Sequence, residues 1–230
     1  SSGQKKNTQN YKLHVCDLSD KEKVYKILLE ENYDLVMHFA ASINVEESYN
    51  NPEKYQQNNV INTINLLECM KVLKIKKFIF SSSAAVYGEP EHIPITEGHP
   101  LKPINPYGAT KLMMEQILRD YYIAYGMNSV GLRYFNAAGA DPEAEIGELR
   151  DKETHIIPIA IGAARQGKTF KLFGDRYPTE DGTWVQTADI PSYRLNACFT
   201  WRHRSLVNEA SFAMEKTVHS TAGAASYRFE

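Results

Sequence analysis

Apolar and polar positions switch between two periods from residue 11 to residue 134. Tyr11 to Val15 alternates and predicts a short strand ending at Cys16-Asp17. Ser19-Asp20 offers a helix N-cap, and Lys21 to Glu30 then places Val24, Ile27 and Leu28 on one helical face. Leu35-Val36-Met37-His38-Phe39 is a near-continuous apolar run, the pattern of a buried parallel strand. Pro52 opens a second helix with a core stripe of Val60, Ile61, Ile64, Leu67 and Met70. Phe78-Ile79-Phe80 is the next buried strand, followed by a loop carrying Pro90, Pro94, Pro100, Pro103 and Pro106. A helix from about Tyr107 to Tyr125 stops at Gly126, and Ser129 to Tyr134 is another strand. Alternating strands and helices predict the α/β class with a doubly wound parallel sheet. Ligands bind such sheets at the carboxyl ends of the strands. The positions to examine are therefore Asp17, the segment after Phe39, Ser81 to Ser83, and the segment after Tyr134. Past residue 183 periodicity weakens and predicts no clear element.

Composition narrows the functional classes. The 43% apolar content excludes wholesale disorder, and 230 residues suffice for a buried core. With 26 basic and 28 acidic side chains the net charge is −2, which gives no electrostatic reason to expect nucleic acid or an anionic membrane as partner. No apolar run approaches the ~20 residues of a membrane span. Ser1 to Asn10 is polar and unlike a signal peptide. The 3 cysteines are scattered, as in a reduced, cytoplasmic protein. The histidines show no metal-ligand spacing, so no metal is expected. Gly3 is the sole glycine before Gly88.

Gly162-Ala-Ala-Arg-Gln-Gly-Lys-Thr169 satisfies the phosphate-binding P-loop pattern letter for letter. That mechanism needs a strand before the loop and a helix after it. Here the periodicity predicts the reverse, which makes Gly167 a helix C-cap. Tyr107 and Lys111 are one helical turn apart and share a face. An ammonium beside a phenol favours phenolate and suits it to act as a general base. With 14 tyrosines such a pair can arise by chance. Ser81-Ser-Ser83, at a strand's carboxyl end, could bond the same substrate oxygen. Asp17 could accept hydrogen bonds from a ribose or adenine amino group, though an Asx turn explains it as well. Asn136 lies in a similar turn. His38, inside an apolar run, reads as a satisfied core histidine.

Ser81-Ser-Ser-Ala-Ala-Val-Tyr-Gly88, Pro106-Tyr-Gly-Ala-Thr-Lys111, Arg133-Tyr-Phe-Asn-Ala-Ala-Gly-Ala140 and Tyr177-Pro-Thr-Glu-Asp-Gly-Thr183 occur in this order. Together with His38-Phe-Ala-Ala41 and Asn58-Asn59, they resemble the UDP-glucose 4-epimerases of the extended short-chain dehydrogenase/reductase family. The resemblance implies a Rossmann-like, NAD-binding fold and interconversion of UDP-glucose and UDP-galactose. It implies that Tyr107 removes the proton of the sugar 4-hydroxyl, that Lys111 holds the nicotinamide ribose, and that Ser83 bridges substrate and tyrosine. Asp17 and Leu18 match the adenine site. Phe39, Ala40 and Ala41 match the backbone that passes close to NAD, Asn58 a cofactor-side asparagine, and Phe135 a residue against the nicotinamide. Asn136, His155 and Phe173 match positions lining the UDP-sugar pocket. Asn44 stands where some members carry a lysine near the pyrophosphate. The family also implies a homodimer.

Two departures shape the expected organisation. The chain has no glycine-rich turn of the kind that cradles the NAD pyrophosphate. After Thr183 the family's pattern is not followed. The expected division is a polar extension over 1–10, a partial NAD-binding domain lacking its first βαβ unit over 11–140, the start of a UDP-sugar-binding domain over 141–183, and a divergent tail over 184–230. The implied activity is expected to be impaired without the glycine loop. A non-catalytic truncated remnant, or another NAD-dependent UDP-sugar epimerase or dehydratase, are the competing readings.

Overall fold

The structure, a computed structural model, describes residues 11–135, 153 and 155–173, with the strand backbones at 214–217 and 224–229. The chain divides into two compact units, the division falling between Phe135 and Asn136.

In the first unit three parallel strands, β1 (Val36–His38), β2 (Lys77–Ser83) and β3 (Asn128–Tyr134), lie in that order. This is the α/β parallel architecture expected. Asp20 caps α1 (Lys21–Leu29) by accepting from the Lys23 amide. Asn105 does the same for α5 (Pro106–Tyr125) at Gly108, and Gly126, at φ 64°, closes that helix in the left-handed conformation that glycine permits. Between β1 and β2 run α2 (Val45–Asn50), α3 (Pro52–Tyr55), a π-helical segment (Gln56–Ile61) and α4 (Asn62–Val72).

The core joins Val24, Leu66, Leu67, Met70, Phe78, Phe80, Met114 and Leu118. Phe78, Phe80 and Ser82 alternate on the sheet face that is buried, and His38 stacks on both phenyl rings. Register pairs Met37 and Val130 with Ile79 on the opposite face. There Met37 is 55% and Val130 56% exposed. The apolar run Leu35–Phe39 is therefore covered on one face alone among the described residues.

Two expectations need correction. Tyr11–Val15 is not a strand; Tyr11 and Val15 are 77% and 76% exposed and no described strand pairs with them. Alternation marks which faces a strand would present, but the ladder needs a partner. The expected stripe of the second helix also shifts. Ile61 is 47% exposed, while Asn62, Thr63 and Leu66 turn inward with Leu67 and Met70. The wider π turn inserts a phase change that a 3.6-residue period does not anticipate.

In the second unit, α6 (Ile156–Arg165) is followed by β4 (Phe170–Phe173). Gly167 has φ 60°, and the Gly167 and Lys168 amides donate to the Ala164 and Ala163 carbonyls. The P-loop-like letters thus form a helix end, in the expected order. β4 pairs antiparallel with β6 (Ala224–Phe229), which pairs with β5 (Met214–Thr217). These two short strands were not legible in the weak periodicity beyond residue 183.

Candidate active site

The carboxyl end of β2 meets the N-terminus of α5. Ser83 caps the 3-10 turn Ala84–Val86 that leaves β2, its hydroxyl accepting from the Ala85 amide at 3.2 Å. Gly108 lies against this turn; a Cβ there would stand 2.6 Å from the Ala85 carbonyl oxygen. Absence of a side chain lets the first turn of α5 close on Ser83. Tyr107 arrives beside it, and its amide donates to Ser48 Oγ at 3.3 Å.

Burial raises the Tyr107 phenol above its ordinary value, and a hydrogen bond with Ser83 draws it back. Lys111 is buried one turn further on. Its Nζ donates to the Ser81 carbonyl at 2.7 Å and lies 5.0 Å from the Phe80 ring centroid and 5.7 Å from that of Tyr107. Burial lowers the Lys111 ammonium to about 8. The expectation that Lys111 draws the phenol toward neutrality is not met in this arrangement. The ammonium is turned to Ser81, and desolvation dominates both groups.

A polar spine supports the site from below. Asn59 accepts from the Ser42 amide at 2.7 Å and donates to the Ser42 carbonyl at 2.9 Å and to Thr110 Oγ1 at 3.3 Å. Thr110 donates to the Tyr107 carbonyl at 2.7 Å. The loop after β1 is thereby linked to the tyrosine-bearing helix. The π turn brings Asn58 to the same place, where its Nδ2 donates to Ser42 Oγ at 3.0 Å. His38 Nε2 lies 3.0 Å from Thr63 Oγ1, which donates to the Asn59 carbonyl. The imidazole thus donates to Thr63. Burial lowers His38 to about 4, leaving a neutral core histidine.

The other candidate residues are placed as follows. Phe39 and Ala40 are exposed and Ala41 half-buried after β1, and Phe39 lies 6.3 Å from Tyr134 in a tilted ring contact. Phe135 follows β3 directly. Asp17 accepts from the Ser19 amide at 2.8 Å, an Asx turn. Leu18 packs on the core. Asn44 accepts from the Glu47 amide as the N-cap of α2. Asn136 lies outside the described residues. His155 caps α6, its amide donating to Glu153 at 2.8 Å, and the Phe173 backbone ends β4; both belong to the second unit. Asn59 and Thr110 stand inside motifs read from the sequence, but no role was expected of either, and Thr63 was not singled out. For Thr63 the signal was its place in the second helix, one turn beyond Asn59.

The family model described as GDP-mannose 4,6 dehydratase matches residues 1–189. The chain belongs to that family. Within it, the likeness to UDP-glucose 4-epimerases is borne out. The UDP-glucose 4-epimerase of Lactobacillus helveticus is 48% identical over 213 residues, 90% of this chain and 64% of its own length. That of Rhizobium meliloti is 47% identical over 177 residues, 76% of this chain and 53% of its own. The crystal structure of UDP-glucose 4-epimerase from Brucella ovis in complex with NAD superposes with a TM-score of 0.74 at 43% identity, covering 79% of this chain and 56% of that one. The chain thus spans between 53% and 64% of the length of these relatives. Among the described residues no helix is long and apolar enough to cross a membrane.

Proposed function

We propose that the protein carrying this chain is an NAD-dependent UDP-glucose 4-epimerase, interconverting UDP-glucose and UDP-galactose. The observation that carries the reading is the convergence of Ser83, Tyr107 and Lys111 where β2 ends and α5 begins. The donor set suits a nicotinamide ribose. Among the described residues one carbonyl accepts from the Lys111 ammonium, which leaves protons for a diol. Ala40 and Ala41 keep the neighbouring backbone open to close approach. When bound, NAD supplies reversible hydride transfer at the sugar C4. The remaining work falls to the chain. Tyr107 takes the 4-hydroxyl proton and Ser83 holds that oxygen at hydrogen-bond distance from the phenol. Inversion then requires the 4-keto sugar to present its other face before Tyr107 returns the proton.

Asp17, Leu18, Phe39, Asn58 and Phe135 complete the proposed cofactor contacts, and Asn136, His155 and Phe173 the sugar-nucleotide contacts. The proposed domains are those expected from the sequence, at 11–140, 141–183 and 184–230. Ile61 and Val72 on the second helix, and Met113, Tyr122 and Ile123 on α5, are exposed apolar side chains that suit a homodimer. Free thiols at Cys16 and Cys69 suit a cytoplasmic setting. No glycine lies between Gly3 and Gly88, so these 230 residues alone hold the pyrophosphate weakly.

The test is conversion of UDP-galactose to UDP-glucose by the protein that carries this chain, with cofactor content read by absorbance after denaturation. Absence of both NAD and conversion would overturn the reading. Stoichiometric NAD on the isolated 230 residues would overturn the proposed weakness.

A further inference from the structure

We propose that Glu115 and Arg133 form a positioning clamp that sets where Tyr107 and Lys111 stand relative to the ends of β2 and β3. The proposal rests on the reading of Tyr107 and Lys111 as the reacting pair. Glu115 lies one helical turn beyond Lys111 and two beyond Tyr107, on the same face of α5. Its carboxylate accepts from Arg133 Nε at 3.0 and 3.3 Å and from Arg133 NH2 at 2.7 Å. It also accepts from Ser82 Oγ at 2.5 Å.

Ser82 and Arg133 are direct register partners on β2 and β3. One carboxylate therefore ties both strands together at their carboxyl ends and ties them to the helix. Arg133 NH1 donates to the Tyr87 hydroxyl at 3.0 Å, and the guanidinium lies 5.0 Å over the Tyr87 ring. Tyr87 ends the turn that Ser83 begins. β2, β3, α5 and the turn after β2 thus converge on one ion pair. The residues on either side of Ser82 are Ser81, whose carbonyl accepts from Lys111, and Ser83, which bonds Tyr107.

Beyond these polar contacts α5 grips the sheet through Met114 and Leu118, and apolar contact has no direction. A bidentate arginine–carboxylate pair does. Tyr107 stands ~12 Å along the helix from the clamp, so small slips at Glu115 grow at the phenol. Misplacement of about 1 Å costs roughly a hundredfold in rate. The pair is half-buried, and ion pairs taken partly out of water contribute little to stability compared with apolar replacements.

The test uses the protein carrying this chain, with cofactor bound, in Glu115→Met/Arg133→Met and Arg133→Lys forms. The first replaces the pair by apolar groups; the second keeps the charge and loses the fork. Melting temperature, kcat and KM are measured. The ionisation of Tyr107 is followed by carbon NMR of ring-labelled tyrosine, assigned with Tyr107→Phe. Expected are a melting temperature near that of the parent, kcat lowered at least about tenfold, KM within about twofold, and a displaced Tyr107 titration. An unmoved Tyr107 titration in both variants overturns the clamp, whichever reaction the protein performs. So does a fall in kcat that only tracks the folded fraction. Loss of conversion by the parent protein would instead overturn the function proposed above and leave the NMR result to decide the clamp.

Discussion

Lys111 donates to the Ser81 carbonyl at 2.7 Å while 2% exposed, a cation held inside the fold by one strand's backbone. Burial takes its ammonium from 10.5 to about 8. The folded state therefore disfavours the proton. At pH 7 both folded and unfolded chains carry it, so the cost is fully present, and it disappears as pH rises from 8 to 10.5. Lys111→Met is expected to raise stability by ~1–3 kcal/mol at pH 7 while abolishing conversion. Denaturant melts at pH 7 and pH 10 check this; the gain should shrink at the higher pH. A variant less stable than its parent at pH 7 would show that the ammonium is a net support of the fold.

Burial makes His38 hold a proton less readily than a surface histidine does. Its folded value is about 4 against 6.5 unfolded, so the unfolded chain binds the proton more readily. Stability is full above pH 6.5 and falls as pH drops toward 4, by up to about 3 kcal/mol. His38→Asn should flatten that slope in chemical melts taken between pH 7 and pH 4.5. An equal slope in parent and variant would remove His38 from the acid response.

Tyr107→Phe removes one hydroxyl from a half-buried ring that meets Tyr55 edge-on at 6.5 Å. The melting temperature should move little. Turnover should fall by at least ~100-fold, the contribution typical of a positioned acid–base group. Steady-state assays on UDP-galactose decide it, and retention of parental kcat would exclude the phenol from proton transfer.

Gly108→Ala places a methyl 2.6 Å from the Ala85 carbonyl oxygen. Backbone must move, because neither partner is a flexible side chain. The expected loss is ~1–3 kcal/mol with a larger fall in kcat than in KM, since the displaced element carries Tyr107. Gly126→Ala is the control. Nothing stands within 4 Å of its added Cβ, but φ 64° is strained, so stability should fall without a selective effect on kcat.

The candidate-site end of the fold was legible because its signals are local. Gly126 marks the end of α5, and the four-residue spacing of Tyr107 and Lys111 survives any context. Burial of Phe78 and Phe80 follows from strand alternation. The electrostatics were less legible. Spacing places Lys111 near Tyr107 but does not say that Ser81 claims its proton. The Glu115–Arg133 pair spans 18 positions and depends on strand register, which periodicity does not encode. Tyr11–Val15 failed for a related reason: a strand is defined by its neighbour.

The π turn at Gln56–Ile61 gives the helical stretch one backbone step more than an α-helix needs. Removing a single residue there would make the stretch more regular and, by local propensity, more comfortable. It would also rotate Asn58 and Asn59 by about 100° relative to α4, away from Ser42 and Thr110. At this place a shorter, better-formed helix would be the harmful version, so a deletion tolerated elsewhere on the surface would uncouple the loop after β1 from the helix that carries Tyr107.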